Sequence, residues 1–243
     1  MNLNIKHDFP KRNAFEEQYI ALRTKEQRLY SDDEVRQLPF ISAEHPHFKE
    51  WIARKHSSDR LLKHLTKKNT LLRILEIGCG NGWLSHKLST IRGSQVTGFD
   101  INQLELYQAR KVFGDRSNLE FTAKDPLTGN VKFDVIVFAA SIQYFASLNE
   151  IVTRCMTRLQ PGGSIHIIDT HFYKPAEVPA AQKRTENYFT SIGFAGMSEN
   201  YFHHSLEELK RFDYEIMYDP GSWWNKLLQR KDPFHWVCIN NNK

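Results

Sequence analysis

The hydrophobic pattern of the chain changes near residue 71. Before it, apolar residues recur at helical spacing. Phe15, Tyr19, Ile20, Leu22 and Leu29 predict a helix over 14–30, and Ser31-Asp32-Asp33-Glu34 opens another, with acids in its first turn, that breaks at Leu38-Pro39. A third begins after His45-Pro46, where Trp51, Ile52, Leu61, Leu62 and Leu65 form an apolar stripe flanked by Arg54, Lys55 and Arg60. From Leu71 onward, short apolar runs alternate with amphipathic stretches. Strands are predicted over 72–77, 95–99, 119–122, 133–139 and 164–169, and helices over 82–91, 103–113 and 148–159, with 159–163 as a turn. Residues 171–204 interrupt the alternation with a helix over 176–192, a Gly193/Gly196 break and an aromatic run at 200–204. Ser205 and Glu208 then have capping-box spacing. Strands at 214–218 and 234–239 follow, separated by a loop over 219–232 that holds Trp223 and Trp224. The sum is an α/β fold: a doubly wound, seven-stranded, mostly parallel sheet closing in an antiparallel hairpin. It carries an N-terminal helical extension (1–70) and a helical insertion after the fifth strand (171–204) on a main domain of 71–243.

One stretch organises the chemistry. Residues 71–85 read as a buried strand that stops at Gly78 and turns through Gly78-Cys79-Gly80-Asn81-Gly82 into a helix. Glycines let a ligand approach the backbone closely, and a helix N-terminus favours negative charge. Trp83 stands where a dinucleotide fingerprint places its third glycine, which argues against a pyrophosphate site. Glu76, two residues before Gly78, would repel a pyrophosphate and suits an ammonium group.

The stretch resembles motif I of the class I S-adenosylmethionine-dependent methyltransferases, E-x-G-x-G-x-G, matched by Glu76, Gly78, Gly80 and Gly82. The resemblance covers 71–170 well and 205–240 loosely, and implies a Rossmann-like methyltransferase fold with S-adenosylmethionine as cofactor. In open α/β sheets ligands bind at the carboxyl ends of the strands. On this resemblance Glu76 faces the methionine ammonium, and the loop of Gly78, Cys79, Gly80, Asn81 and Gly82 passes under the cofactor. Asp100 accepts both ribose hydroxyls with Ile101 on the adenine. Asp125, flanked by Pro126, accepts from the adenine amino group. Ala140, Ser141 and Tyr144 border the methionine arm.

Charge and cysteines narrow the setting. The chain of 243 residues holds 33 Lys+Arg against 28 Asp+Glu, a net +5. Residues 1–70 hold 14 basic and 10 acidic side chains (+4), and residues 71–243 hold 19 and 18 (+1). That modest field reads first as a solvated face, which makes nucleic acid an unlikely partner. Three scattered cysteines without a CxxC pair predict neither a disulfide frame nor a zinc site. No window approaches the ~18 consecutive apolar residues of a membrane span, so a cytoplasmic protein without a membrane partner is expected.

Methyl transfer is an in-line displacement that needs alignment of the acceptor and exclusion of water. Trp83, Tyr144 and Tyr30 offer aromatic faces for a sulfonium; Trp83 reads equally well as core. The residues after the fourth strand, Ala140-Ser141-Ile142-Gln143-Tyr144, are not the (D/N)PPY of aminomethylases and offer no acid for a catechol-type Mg²⁺, so no metal is expected. His171 is the candidate general base, ahead of His203 and His204. The leading reading is methyl transfer to a small-molecule acceptor; the alternatives are an RNA or protein docked on the basic N-terminal block, or cofactor binding without transfer. The block, with Tyr30, Trp51 and Arg54 as its candidates for reaching the site, and the aromatics of 171–204 (Phe172, Tyr173, Tyr188, Phe189, Tyr201, Phe202) are expected to form a lid beside the methyl group.

Overall fold

The computed structural model describes residues 14–68, 70–227 and 232–242. Three helices come first: α1 (Ala14–Lys25), α2 (Asp32–Gln37) and α3 (Phe48–Thr66). The sheet strands are β1 (Leu72–Ile77), β2 (Ser94–Phe99), β3 (Leu119–Thr122), β4 (Phe133–Ala139), β5 (Leu159–Thr170), β6 (Tyr214–Tyr218) and β7 (His235–Asn240). They lie in the order β3-β2-β1-β4-β5-β7-β6, with β7 antiparallel to both of its neighbours. The expected doubly wound, mostly parallel sheet with a closing hairpin is therefore the observed one. The order reverses between β1 and β4, which opens a crevice at their carboxyl ends.

Helices α4 (Trp83–Leu88), α5 (Gln103–Phe113) and α6 (Leu148–Met156) connect the strands. Two apolar layers flank the sheet. One joins β1, β2 and β4 to α3, α4 and α5 through Trp51, Leu61, Leu65, Trp83, Leu84 and Leu106. The other packs α6 and the start of the insertion on the opposite face through Phe138, Ile142, Leu148, Ile151 and Phe172. A smaller cluster of Leu22, Phe189 and Met197 ties α1 to α7 (Val178–Ser191) and to the short 3₁₀ segment at 195–200.

Several boundaries differ from the pattern-based expectation. Helix α1 ends at Lys25, and Gln27 adopts φ 57°, which breaks the helix before Leu29. The 82–91 and 148–159 helices are shorter, ending at Leu88 and Met156. The 159–163 turn is instead a bulged part of β5. Leu159 pairs with Phe133 and Ser164 with Val135, and the amides of Gly162 and Asn241 bond across to Asn241 and Gly163 at 2.8 and 2.9 Å, so the strand's outer edge stays on the ladder. The loop at 219–232 holds a short helix, α8 (Trp223–Leu227), with the two indoles stacked and exposed. The expected capping box of Ser205 with Glu208 is present, and Ser31 with Glu34 forms another.

Candidate active site

The glycine turn after β1 needs the conformations glycine supplies. Gly78, Gly80 and Gly82 have φ of 77°, 51° and 78°. A side chain on Gly78 would stand 2.4 Å from the Ser141 Cβ, and one on Gly82 would meet the Phe121 ring at 2.5 Å and Ala109 at 2.9 Å. Gly78 therefore lets the ends of β1 and β4 approach, and Gly82 lets the turn settle on α5 and β3. The amides of Gly78 and Cys79 bond to the Phe99 carbonyl at 2.8 and 3.0 Å, and that of Gly80 to Asp100 Oδ2 at 2.8 Å. Ala140 (φ 52°) and Asp169 (φ 56°) hold left-handed backbone at the ends of β4 and β5, strain of a kind that clusters at functional clefts.

A cavity of about 430 Å³ opens at this edge. Of the residues predicted for the cofactor, Glu76, Gly78, Cys79, Gly80, Asn81, Asp100, Ile101, Asp125, Ala140, Ser141 and Tyr144 line it. Gly82 does not, because it is buried against Phe121, and neither does Pro126, which starts the 3₁₀ turn behind Asp125. His171 also lies away from it. Just past the end of β5 it is exposed, with its ring 4.5 Å from Tyr173 and 6.1 Å from His235. His203 is buried and bonded to Thr185 Oγ1 at 2.9 Å, and His204 is buried beside the Ile142 carbonyl. The structure thus brings none of the three candidate histidines to the cavity.

Burial shapes the acids. Glu76 accepts from Ser85 Oγ, and burial pushes its carboxyl up to about 8. Asp100 is raised by burial although the amides of Gly80 and Asn102, each at 2.8 Å, favour its charged form. Glu105, on the first turn of α5, is raised to about 7 by burial and by the neighbouring Asp100. Asp125 accepts from the Leu127 amide at 2.8 Å and pairs with Arg154 at 2.6 Å. Cys79 is buried and its thiol is pushed well up by that burial.

The N-terminal helices roof the cavity with Phe15, Glu16, Tyr19, Arg23, Arg28, Tyr30, Glu50, Trp51 and Arg54. Tyr30, Trp51 and Arg54 were expected here. The Trp51 indole N–H donates to Tyr30 Oη at 2.8 Å, and its ring stands edge-on to Trp83, centroids 5.2 Å apart. Trp83 both packs the core and lines the cavity. Arg54 donates to Glu50 at 2.9 and 3.0 Å and lies over the Trp51 ring, and its charge lowers the carboxyls of Glu76 and Asp169 against their burial. Burial would raise Glu50, but Arg54 and Arg28 hold it down to about 2. Phe15, Tyr19 and Arg23 were missed as site residues; their i, i+4, i+8 spacing on one helix face was the available signal. Glu105, in the first turn of α5, was missed as well. Nothing in the sequence pointed to Glu50.

The insertion contributes only Asn200 to the wall among the described residues. Its aromatics stand one layer back. Tyr201 is edge-on to Tyr144 at 5.8 Å, Phe189 packs on Tyr201, and Tyr188 Oη donates to Glu26 at 2.6 Å. Among the described residues, no group of three or more His, Cys, Asp or Glu side chains is arranged to hold a metal ion, and no helix is long and apolar enough to cross a membrane.

With this geometry in hand, known proteins give it a context. Residues 75–165 match a family model described as a methyltransferase domain. The chain is similar to a ubiquinone biosynthesis O-methyltransferase of Bradyrhizobium diazoefficiens, 31% identical over 38% of this chain and 37% of that protein. It is similar to malonyl-[acyl-carrier protein] O-methyltransferase 1 of Ilyobacter polytropus, 32% identical over 46% and 42%. The match thus spans less than half the length of these curated relatives. Among solved structures, the plantazolicin methyltransferase BpumL in complex with SAH superimposes with a TM-score of 0.56 at 17% identity, covering 95% of this chain and 100% of that one. Magnesium protoporphyrin IX methyltransferase from Synechocystis PCC 6803 with bound SAH gives 0.60 at 11% identity, covering 93% and 99%.

Proposed function

We propose that this chain, whose residues 75–165 match a methyltransferase domain, is a class I S-adenosylmethionine-dependent methyltransferase that transfers a methyl group from S-adenosylmethionine to a small-molecule acceptor. The observation that carries the reading is convergence: acids from the ends of β1, β2 and β3, Glu76, Asp100 and Asp125, open onto one cavity floored by a glycine turn. The donor set fits the cofactor. Glu76 is a buried carboxyl that accepts from Ser85 and, among the described residues, has no cationic partner at bonding distance, which an ammonium group facing it would supply. Arg54, whose charge reaches Glu76, is placed for the carboxylate on the same carbon as that ammonium. Asp100 offers lone pairs to the ribose diol, and Asp125 to the adenine amino group. The cofactor supplies an electrophilic sulfonium methyl. The chain's own work is to hold that methyl against the acceptor and keep water out.

The N-terminal helices and the 171–204 insertion form a two-layer lid in this reading. Helix α1 covers the cavity, and the insertion braces α1 and Tyr144 from behind. This changes the expected role of the insertion's aromatics from wall to support. A small acceptor is favoured over RNA because the basic residues of the block nearest the cavity are held in ion pairs, Arg28 and Arg54 on Glu50, with Lys55 on Asp59 and Arg60 on Asp232 beside them. A cytoplasmic setting accords with Cys79, Cys155 and Cys238, all free thiols.

Calorimetry with S-adenosylhomocysteine tests the cofactor, and radiolabelled methyl transfer from S-adenosylmethionine to small-molecule and RNA fractions of a cell extract tests the acceptor. Folded protein that gives no heat with either cofactor form ends the reading. Label appearing in RNA alone overturns the acceptor class, and binding without transfer to any fraction leaves a non-catalytic cofactor-binding protein.

A further inference from the structure

We propose that the methyl acceptor is an aromatic carboxylic acid whose carboxylate pairs with Arg23. This rests on the methyltransferase reading of the cavity. Arg23 lies on the α1 face that lines the cavity, four residues after Tyr19. Its Nε donates to Tyr19 Oη at 2.9 Å. Among the described residues, the only carboxylate within 4 Å of its guanidinium is Glu26, at 3.9 Å, beyond hydrogen-bond length. Glu26 is already engaged by Arg28 at 3.3 Å and by Tyr188 Oη at 2.6 Å.

The other two cavity arginines differ. Arg28 and Arg54 are both tied to Glu50 at 2.7–3.0 Å. Arg23 also lines the cavity, its guanidinium over the Tyr19 ring at 4.9 Å, and among the described residues no carboxylate lies within hydrogen-bond length of it. A guanidinium fork matches a planar carboxylate in two parallel hydrogen bonds, and a guanidinium held in a partly dry site without a partner is costly until an anion arrives. Glu105 also lines the cavity, and burial and the neighbouring Asp100 push its carboxyl up to about 7 while the Arg23 charge draws it down.

The cofactor's own carboxylate does not account for Arg23. It shares a carbon with the ammonium, and Glu76, the ammonium's partner, feels Arg54. Arg23 instead acts on Asp100, Glu105 and Tyr144. The aromatic half of the proposal comes from the rings beside the fork. Phe15, Tyr19 and Tyr144 line the cavity beside it, Tyr144 edge-on to Tyr19 at 5.8 Å and Phe15 6.0 Å from Tyr19, an aromatic wall of the kind a flat acceptor packs against.

The test is calorimetry on protein saturated with S-adenosylhomocysteine, using benzoate, cinnamate and phenylacetate, their uncharged amides, and phenyl phosphate. The acids should bind, and the amides at least tenfold more weakly. Arg23→Gln should weaken the acids roughly tenfold, and by clearly more than it weakens S-adenosylhomocysteine. Arg23→Lys, which keeps the charge but loses the fork, should fall between; it decides the matter if Arg23→Gln does not fold. Amides binding as well as acids, or a loss of S-adenosylhomocysteine affinity in place of acid affinity, overturns the proposal. Phenyl phosphate outcompeting benzoate overturns the carboxylic acid in favour of a phosphate ester. Wild-type protein that binds S-adenosylhomocysteine but none of the acids sinks this inference alone; protein that does not bind S-adenosylhomocysteine sinks the methyltransferase reading beneath it.

Discussion

The Gly80 amide donates to Asp100 Oδ2 at 2.8 Å, so the glycine turn of β1 is fastened to the acid that ends β2. The other oxygen of Asp100 accepts from the Asn102 amide at 2.8 Å. The carboxylate thus sets the shape of the turn while leaving lone pairs for a ligand. Asp100→Ala should weaken S-adenosylhomocysteine binding by roughly 1–3 kcal/mol and lower the melting temperature as well, since two amides lose their acceptor. Asp100→Asn restores one acceptor and should recover stability ahead of affinity. Calorimetry and thermal melts on both variants separate the two effects; unchanged affinity in the alanine variant would remove Asp100 from the site.

Glu76 makes the ligand-free protein sensitive to pH. Burial raises its folded-state value from the ordinary 4.5 to about 8. Between those values the folded state holds a proton that the unfolded state has lost, so stability falls as pH rises through that window and levels off above about 8. Asp169, raised to about 6 by burial, adds to the slope at its lower end. Thermal melts of the apo protein should decline from pH 5 to 8, and Glu76→Gln should flatten the upper part. An ammonium facing Glu76 would ionise it, so S-adenosylhomocysteine binding near pH 7 should release a proton, visible as a dependence of the calorimetric heat on buffer ionisation enthalpy. A melting temperature that climbs over this range contradicts the assignment.

Gly82 belongs to the turn's packing and not to its ligand surface. Gly82→Ala must place a methyl group against Phe121 and Ala109 at a φ of 78°. A loss of roughly 1–3 kcal/mol of stability is expected from overpacking and strain together. Chemical denaturation measures it. The prediction fails if the variant is as stable as wild type.

Trp51 joins the roof to the floor. It is buried, bonded to Tyr30 and edge-on to Trp83. Trp51→Ala should cost about 3–5 kcal/mol, as expected for a large buried aromatic. Trp51→Phe should lose mainly the hydrogen bond to Tyr30, about 1 kcal/mol. Denaturant titrations that rank the two variants equally would show that the indole's bulk is not what holds α3 to the domain.

The lid carries its own test. Replacing 177–200 by a short Gly-Ser linker should leave S-adenosylhomocysteine affinity nearly intact and abolish turnover, because the segment braces α1 and Tyr144 and adds little to the cofactor's wall. Full turnover in such a variant would reduce the segment to an ornament of the fold.

Local physics made much of this legible from the sequence alone. The alternation of β-branched apolar runs with amphipathic stretches gave the strands of a doubly wound sheet, because period and burial are properties of neighbouring residues. Glu76, Asp100 and Asp125 could be placed at strand ends for the same reason, and the glycine turn announced itself by composition. What the tertiary structure alone decided is which side chains from distant segments share a cavity. Arg23 and Glu50 come from helices that carry no motif, and they reach the site because α1 and α3 pack over the crevice between β1 and β4. His171 looked catalytic because it follows a strand, but proximity along the chain does not fix direction, and its ring turns toward Tyr173 and His235. The charge states of Glu76 and Glu105 were equally out of reach, since a carboxyl's proton affinity is set by how much water the whole fold takes from it.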